Sequence, residues 1–204
     1  MTLRVWDISR PINASTPRYG EDPPPKITSV TSPEGWTVAN VEITTHSGSH
    51  FDFERHFFRD GRTAECYPPS VFIGPCQVLL VPSGSRVDRE FLAHKRLSEK
   101  RVLLQFESPE HCGLTADGAD FLVESGCVLV GTNGLTVEST EPGFPVHRKL
   151  LASGILILEN LELDEVAEAR YILVALPLRI SEADGSPCRA LLVHPDDFQR
   201  LHNE

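Results

Sequence analysis

Three histidines and an aspartate lie within eleven residues of this chain. His46, His50, Asp52 and His56 all occur in the segment THSGSHFDFERHF, residues 45–57. Packed together without a partner, such groups are costly to remove from water. Imidazole and carboxylate are ligands of zinc and similar divalent ions, and a ligand set without cysteine is typical of an open catalytic site. The segment therefore predicts a metal site.

The residues around this segment suggest how the ligands are brought together. Residues 36–45, WTVANVEITT, alternate apolar and polar side chains, which predicts a strand. Helix is disfavoured after it by Gly48 and its serine and phenylalanine neighbours. With a turn at Gly48 and extended chain beyond it, His50 and Asp52 share one face, and the turn can fold His46 back beside them.

A second group of polar residues lies about a hundred positions later. His147 begins a predicted helix, PVHRKLLASG, which has proline at its start and glycine at its end. Glu159 is close to the end of the apolar run ILILEN, where an unpaired carboxylate is costly. Strand ends are where open α/β sheets usually build their sites. The alternative is that Glu159 lies on an edge strand and faces water.

The remaining pattern predicts an α/β fold with a mixed sheet in one domain, residues 1–204. Apolar runs alternate with helical patterns after residue 76, and Thr115 can cap one of the helices. Residues 17–25, PRYGEDPPP, can form neither a regular helix nor a central strand because proline fixes φ and lacks a donor. They are expected to form a loop or an arm.

Charge and composition restrict the partners. The 204 residues carry a formal charge of −10, which disfavours nucleic acid and anionic membrane surfaces. No apolar signal core or membrane-spanning run is present, so we expect a cytoplasmic protein whose partners are small molecules and metals. The cysteines are scattered and are expected to be reduced thiols: Cys66, Cys76, Cys112, Cys127 and Cys188.

Several motifs together resemble the putative cyclase and kynurenine formamidase family of metal-dependent hydrolases. The family pattern HxGTHxDxPxHF is similar to HSGSHFDFERHF at residues 46–57, and FPVHxxLLxxGIxIxENL is matched at residues 144–161. WDISRPINASTP, GTNGLTVE and LPLRISEADGSPCRA extend the resemblance over nearly the whole chain.

This resemblance implies a swivelling β/β/α domain that is usually oligomeric, here a homodimer or homotetramer, and that binds one or two divalent cations, zinc or sometimes manganese. It implies that Glu159 joins His46, His50 and Asp52 at a first ion, and that Asp52, His147 and Glu159 bind a second. It gives His56 the position of an acid/base. The residues themselves leave a second role open for His56, as a further metal ligand.

The chain departs from the family pattern at several positions. Phe53 and Glu54 replace Ala-Pro, so that the loop before His56 loses a rigid proline. Asn133 replaces the usual aspartate. Tyr19 occupies the position at which kynurenine formamidases usually have a substrate-lining tryptophan, and it can stack on an aryl ring or merely pack its loop on the domain.

Three functional interpretations follow. The first is an arylformamidase that hydrolyses N-formylkynurenine to kynurenine and formate, with imidazole suited to move protons because its ordinary pKa is about 6.5. The second is a hydrolase of another amide or of a cyclic amide such as isatin. The third is a protein that binds metal or ligand without catalysis.

Overall fold

This computed structural model describes residues 3–111, 113–139 and 141–200, in which strands predominate in the first third and alternate with helices between residues 73 and 159. The strands are β1 (Val5–Asp7), β2 (Lys26–Thr31), β3 (Thr37–Glu42), β4 (His50–Asp52), β5 (Ile73–Val81), β6 (Arg101–Phe106), β7 (Leu129–Thr132), β8 (Leu156–Glu159), β9 (Arg170–Pro177) and β10 (Gly185–Val193). The helices are α1 (Arg89–Lys95), α2 (Ala116–Glu124), α3 (Pro145–Ala152) and α4 (Pro195–Arg200).

In the described ranges, eight strands form one sheet in the order β1-β10-β4-β8-β7-β6-β5-β9. Neighbours from β5 to β8 are parallel, whereas β4, β9, β10 and β1 join by antiparallel pairing. Strand β9 also pairs with β10, so the sheet closes on itself. The predicted α/β class with a mixed sheet is confirmed.

Alternating side chains of the parallel strands supply two separate apolar clusters. On β6, Leu103 belongs to one cluster, while Val102 and Leu104 belong to the other. On β8, Leu158 and Ile157 divide in the same way. Because these strands are buried on both faces, their sequences are nearly continuous apolar runs rather than polar–apolar alternations.

The predicted crossover helices occur where expected. Helix α2 connects β6 to β7 and begins after Thr115, whose side chain accepts a hydrogen bond from Gly118 N at 3.0 Å. Helix α3 connects β7 to β8 and begins at Pro145. After α3, Gly154 has a φ of +75°, a left-handed conformation that glycine adopts readily.

A short strand places the histidine-rich segment inside the sheet. Strand β4 has three residues and lies between β8 and β10. The predicted turn precedes it, because Gly48 has a φ of +70° and a Cβ there would lie 2.7 Å from Ile12 Cγ1. The sharp turn and the close approach of the chain both require glycine at this position.

The predicted strand at residues 36–45 is confirmed only for residues 37–42. It forms β3, which pairs with β2 in a separate two-stranded ribbon. Residues 17–25 contain no helix or strand, in agreement with the proline-rich pattern. Both strands of the ribbon are exposed along their whole length, so the ribbon is accessible to another protein chain.

Cys66, Cys76, Cys127 and Cys188 are free, as expected, whereas Cys112 lies outside the described residues. Burial raises the pKa of the Cys76, Cys127 and Cys188 thiols to about 12, which makes them poor nucleophiles. None of the helices in the described ranges has the length and apolarity needed to cross a bilayer.

Candidate metal centre and active-site cleft

The fold brings the two predicted groups of polar residues into contact. In the ladder between β4 and β8, His50 lies directly opposite Glu159, and Asp52 follows His50 on the same face. The third residue of α3, His147, reaches the same point, with Nε2 at 3.2 Å from Glu159 Oε1 and 3.5 Å from Asp52 Oδ2. His46 folds back from the Gly48 turn so that its Nδ1 is 3.0 Å from Asp52 Oδ1. All five predicted metal ligands therefore converge.

The spacing of these atoms fits metal coordination. His50 Nε2 is 3.4 Å from Asp52 Oδ1 and 3.6 Å from Glu159 Oε2. Ligand atoms bound tetrahedrally at zinc distances lie about 3.3 Å apart, close to the separations observed here. Asp52 Oδ1 faces His46 and His50, whereas its Oδ2 faces His147. This division suits a carboxylate that bridges two ions.

The hydrogen bonds of the three imidazoles leave one nitrogen of each ring turned toward the carboxylates. His50 Nδ1 donates to Gly48 O at 2.9 Å, and His147 Nδ1 donates to Glu138 Oε2 at 2.8 Å. His46 Nε2 lies 3.0 Å from Asp184 Oδ2. In the neutral rings the opposite nitrogens then carry lone pairs, as metal-binding imidazoles require.

Asp52 Oδ1 is buried and has no hydrogen bond of good geometry among the described residues. An orphaned carboxylate oxygen facing imidazole nitrogens is costly unless a cation lies between them. The donor set, two carboxylates and three imidazoles without a thiolate, therefore fits a divalent metal ion.

The negative charge of the surrounding carboxylates also favours a cation at this centre. Burial opposes the charged form of His46, but its hydrogen bond with Asp184 and the nearby Asp52 carboxylate outweigh it and raise the pKa of His46 to about 10. Burial likewise opposes the charged form of His147, yet Asp52, Glu138 and Glu159 raise its pKa to about 12. The cluster therefore attracts positive charge, either as protons on the rings or as a metal ion that displaces them.

Glu138 is a buried positioning residue to which the sequence pattern gave no role. Its carboxylate accepts hydrogen bonds from Val146 N and His147 N, each at 3.1 Å, at the start of α3. It also accepts from His147 Nδ1, so that one side chain caps the helix and orients the predicted ligand. Glu138 is the last residue of the motif GTNGLTVE, and this motif was the sequence feature that could have pointed to it.

His56 lies beside the predicted ligands rather than among them. Its ring centroid is 4.4 Å from that of His46, and its Nδ1 is 3.0 Å from Asp184 Oδ2. The side chain is 31% exposed, compared with 5% or less for His50 and His147. Its ring is nevertheless near enough that His46, Asp52 and His56 could also hold an ion.

A cleft of about 450 Å³ opens over the centre. His56, His147 and Glu159 contribute to its floor, while Tyr19 lies in the loop that forms part of its wall. The Tyr19 side chain remains half-exposed, and Phe57 and Phe144 add aromatic surface. The structure thus brings Tyr19 to the cleft, as predicted for a substrate-binding residue, while its contact with a substrate stays a prediction.

The structure accounts for the residues that differ from the family pattern. The Asn133 amide makes two hydrogen bonds with the Phe106 backbone, accepting from N and donating to O, each at 2.9 Å. An ionised aspartate could not donate the second bond. Phe53 is fully buried against Phe51, and Glu54 forms an ion pair with Arg62, so core packing and charge hold the loop in place of a proline.

Comparison with known proteins identifies the family of this chain. A family model described as putative cyclase matches residues 6–139. This chain belongs to the putative cyclase family. A relative of this chain, the kynurenine formamidase of Bordetella petrii, is 32% identical over 93% of this chain and 97% of its own length.

Two solved structures have a similar fold. A potential metal-dependent hydrolase with cyclase activity is 28% identical, with a TM-score of 0.84 over 94% of this chain and 98% of its own. Isatin hydrolase A from Labrenzia aggregata superposes with a TM-score of 0.81 over 94% of both chains, and at 21% identity that likeness concerns the fold alone.

Removing divalent metal should lower the melting temperature, because the unfolded chain has no preformed site and metal binding therefore stabilises the folded state. The measurement is a thermal scan before and after chelation, with metal content checked by elemental analysis. Reloading with zinc should restore the original transition.

His50→Ala should abolish most of the chelator-induced shift, whereas His94→Ala, on the surface of α1, should retain it. An unchanged melting temperature after verified metal removal would contradict a preformed site.

Proposed function

We propose that this protein is a metal-dependent amide hydrolase, an arylformamidase that converts N-formylkynurenine to kynurenine and formate. The observation that carries the proposal is the convergence of His46, His50, Asp52, His147 and Glu159 beneath a cleft with aromatic walls. The relationship to kynurenine formamidases at 32% identity over nearly the full chain supports the choice of substrate.

The proposed cofactor is zinc, as one or two ions, with manganese as the alternative. His46 and His50 would hold the first ion and His147 the second, with Asp52 and Glu159 shared between them. A divalent ion at this position supplies a Lewis acid that polarises an amide carbonyl and makes water more acidic. Hydrogen bonds from His46 to Asp184, from His50 to Gly48 and from His147 to Glu138 orient the three imidazoles for such an ion.

His56 is the proposed acid/base. Its Nδ1 is engaged by Asp184, so Nε2 is the nitrogen left to exchange a proton with the reacting groups. Nε2 first accepts a proton from the attacking water and then returns it to the departing aryl amine nitrogen. No serine or cysteine nucleophile is needed.

Tyr19 is proposed to contact the aryl ring of the substrate. The cleft is large enough for a small aromatic amide, and Phe57 and Phe144 extend the apolar surface on which a ring could pack. The metal centre lies at its base, so a ring held against the wall would present its formamide nitrogen to the ligands and to His56.

Turnover assays should show hydrolysis of N-formylkynurenine, with release of formate, that is lost on chelation and restored by zinc or manganese. Isatin, tested in parallel, should be hydrolysed with at least about tenfold lower kcat/KM. Faster turnover of isatin would favour a cyclic amide hydrolase. Absence of turnover of either compound by metal-replete protein would favour the non-catalytic interpretation.

His56→Ala should retain metal but lose turnover. Proton transfer by a positioned side chain typically contributes about 10² to 10⁴-fold, so kcat should fall within that range with a smaller change in KM. Metal content and kcat need to be measured on the same preparation. A metal-replete variant with nearly wild-type turnover would refute the acid/base role, and recovery of activity with excess metal would identify His56 as a ligand.

We also propose that the protein is a homodimer or homotetramer assembled through the β2–β3 ribbon. An isolated two-stranded ribbon is marginally stable in water, and this one exposes apolar side chains on both strands. The side chains that are at least half exposed are Ile27 and Val30 on β2, Trp36 in the turn, and Val38 and Val41 on β3. Cover by a second copy would remove this apolar surface from water.

Light scattering should give a mass of two or four times 22.6 kDa. Val30 and Val38 are cross-strand partners, so the double variant Val30→Glu/Val38→Glu places two like charges side by side on the ribbon. It should shift the protein toward monomer. A monomeric wild-type protein at micromolar concentration would contradict the assembly.

A further inference from the structure

One carboxylate connects a predicted metal ligand with the predicted acid/base. Asp184 Oδ2 is 3.0 Å from His46 Nε2 and 3.0 Å from His56 Nδ1. The same side chain accepts a hydrogen bond from Thr45 Oγ1 through Oδ1 at 2.8 Å. Since a carboxylate only accepts, both rings must present an N–H to the shared oxygen.

The backbone of Asp184 is fixed by its neighbours in the sheet. Its carbonyl accepts a hydrogen bond from Phe53 N at 2.9 Å, and Gly185 lies opposite Asp52 in the β4–β10 ladder. A Cβ at Gly185 would lie 2.7 Å from Phe51 O and 3.0 Å from His46 Cε1. This glycine lets β10 approach closely enough for Asp184 to reach both rings.

We propose that Asp184 is a positioning residue that fixes His56 with a proton on Nδ1 and a free Nε2 toward the cleft, while it fixes His46 with its Nδ1 toward Asp52. The inference rests on the proposed function for the part that concerns His56. It assigns to one side chain two tasks that are usually separate: orienting a metal-binding imidazole and setting the tautomer of an acid/base.

The geometry supports an indirect role. Thr45 and Phe53 hold the side chain and the backbone of Asp184, so that its freedom to rotate is small. Both engaged ring nitrogens point away from the atoms that would do chemistry, which are His46 Nδ1 and His56 Nε2. Asp184 also lines the cleft, but both of its carboxylate oxygens are engaged, Oδ2 by the two histidines and Oδ1 by Thr45, so it acts through the two histidines.

A tautomer measurement tests this without any substrate. Nitrogen NMR of ¹⁵N-histidine-labelled zinc protein, with His56 assigned by comparison with His56→Ala, should show neutral His56 protonated on Nδ1. In Asp184→Ala the ring should shift toward the Nε2-protonated form. An unchanged tautomer in Asp184→Ala would overturn the proposal, whatever the protein's substrate.

A double-mutant cycle tests the consequence for catalysis. At saturating zinc, Asp184→Ala should lower kcat by about 10- to 100-fold with less than about threefold change in KM. Asp184→Asn, which keeps an acceptor oxygen, should lose less. In the His56→Ala background, Asp184→Ala should add less than about threefold, because the residue through which it acts is absent.

Full additivity in that cycle would overturn the link to His56. Chelator competition should also show about 10- to 100-fold weaker zinc binding by Asp184→Ala, through the loss of support for His46. Asp117→Ala, which removes an exposed carboxylate on α2, should leave kcat, zinc affinity and the His56 tautomer unchanged. If wild-type protein hydrolyses no formamide, the proposed function fails, while NMR and zinc affinity still decide the role of Asp184.

Discussion

The buried Asp52 carboxylate imposes the main physical constraint on this structure. Its side chain is 1% exposed, and the nitrogens of three imidazoles lie within 3.5 Å of it. Burial of a carboxylate is tolerated only when positive charge and hydrogen bonds compensate it. Burial opposes the charged form of Asp52, but the neighbouring imidazoles of His147, His46 and His50 outweigh it and hold its pKa well below the usual range.

The position of β4 in the sheet makes this concentration of polar groups possible. Strand β4 lies between β8 and β10, so its two neighbours bring Glu159 from one side and Asp184 from the other. Helix α3 contributes His147, whose backbone N and ring Nδ1 both donate to Glu138. The apolar clusters on both faces keep these elements rigid, which allows hydrogen-bonded side chains to be placed accurately.

Support for the site extends well beyond the predicted ligands. Glu138 and Asp184 each bind the ring nitrogen that faces away from the centre, while the backbone carbonyl of Gly48 does so for His50. Asn133, in contrast, departs from the family pattern but does not support the predicted metal ligands. Its amide makes hydrogen bonds with the Phe106 backbone. A substitution near a motif can therefore serve the scaffold rather than the chemistry.

The sequence by itself determined the kinds of ligand and their local arrangement. Period-two spacing put His50 and Asp52 on one face, Gly48 marked the turn, and Pro145 and Thr115 marked helix starts; all of these features are present in the structure. Such features depend on neighbours a few residues apart, which is why residue type and spacing reveal them.

Only the tertiary structure decided which distant groups meet. The opposition of His50 and Glu159 depends on the register of β4 against β8, and the hydrogen bond between His56 and Asp184 joins residues 128 positions apart. The strand predicted at residues 36–45 proved shorter, and it joined an exposed ribbon instead of the main sheet. Sheet register and long-range pairing are set by packing of the whole core, which no local pattern encodes.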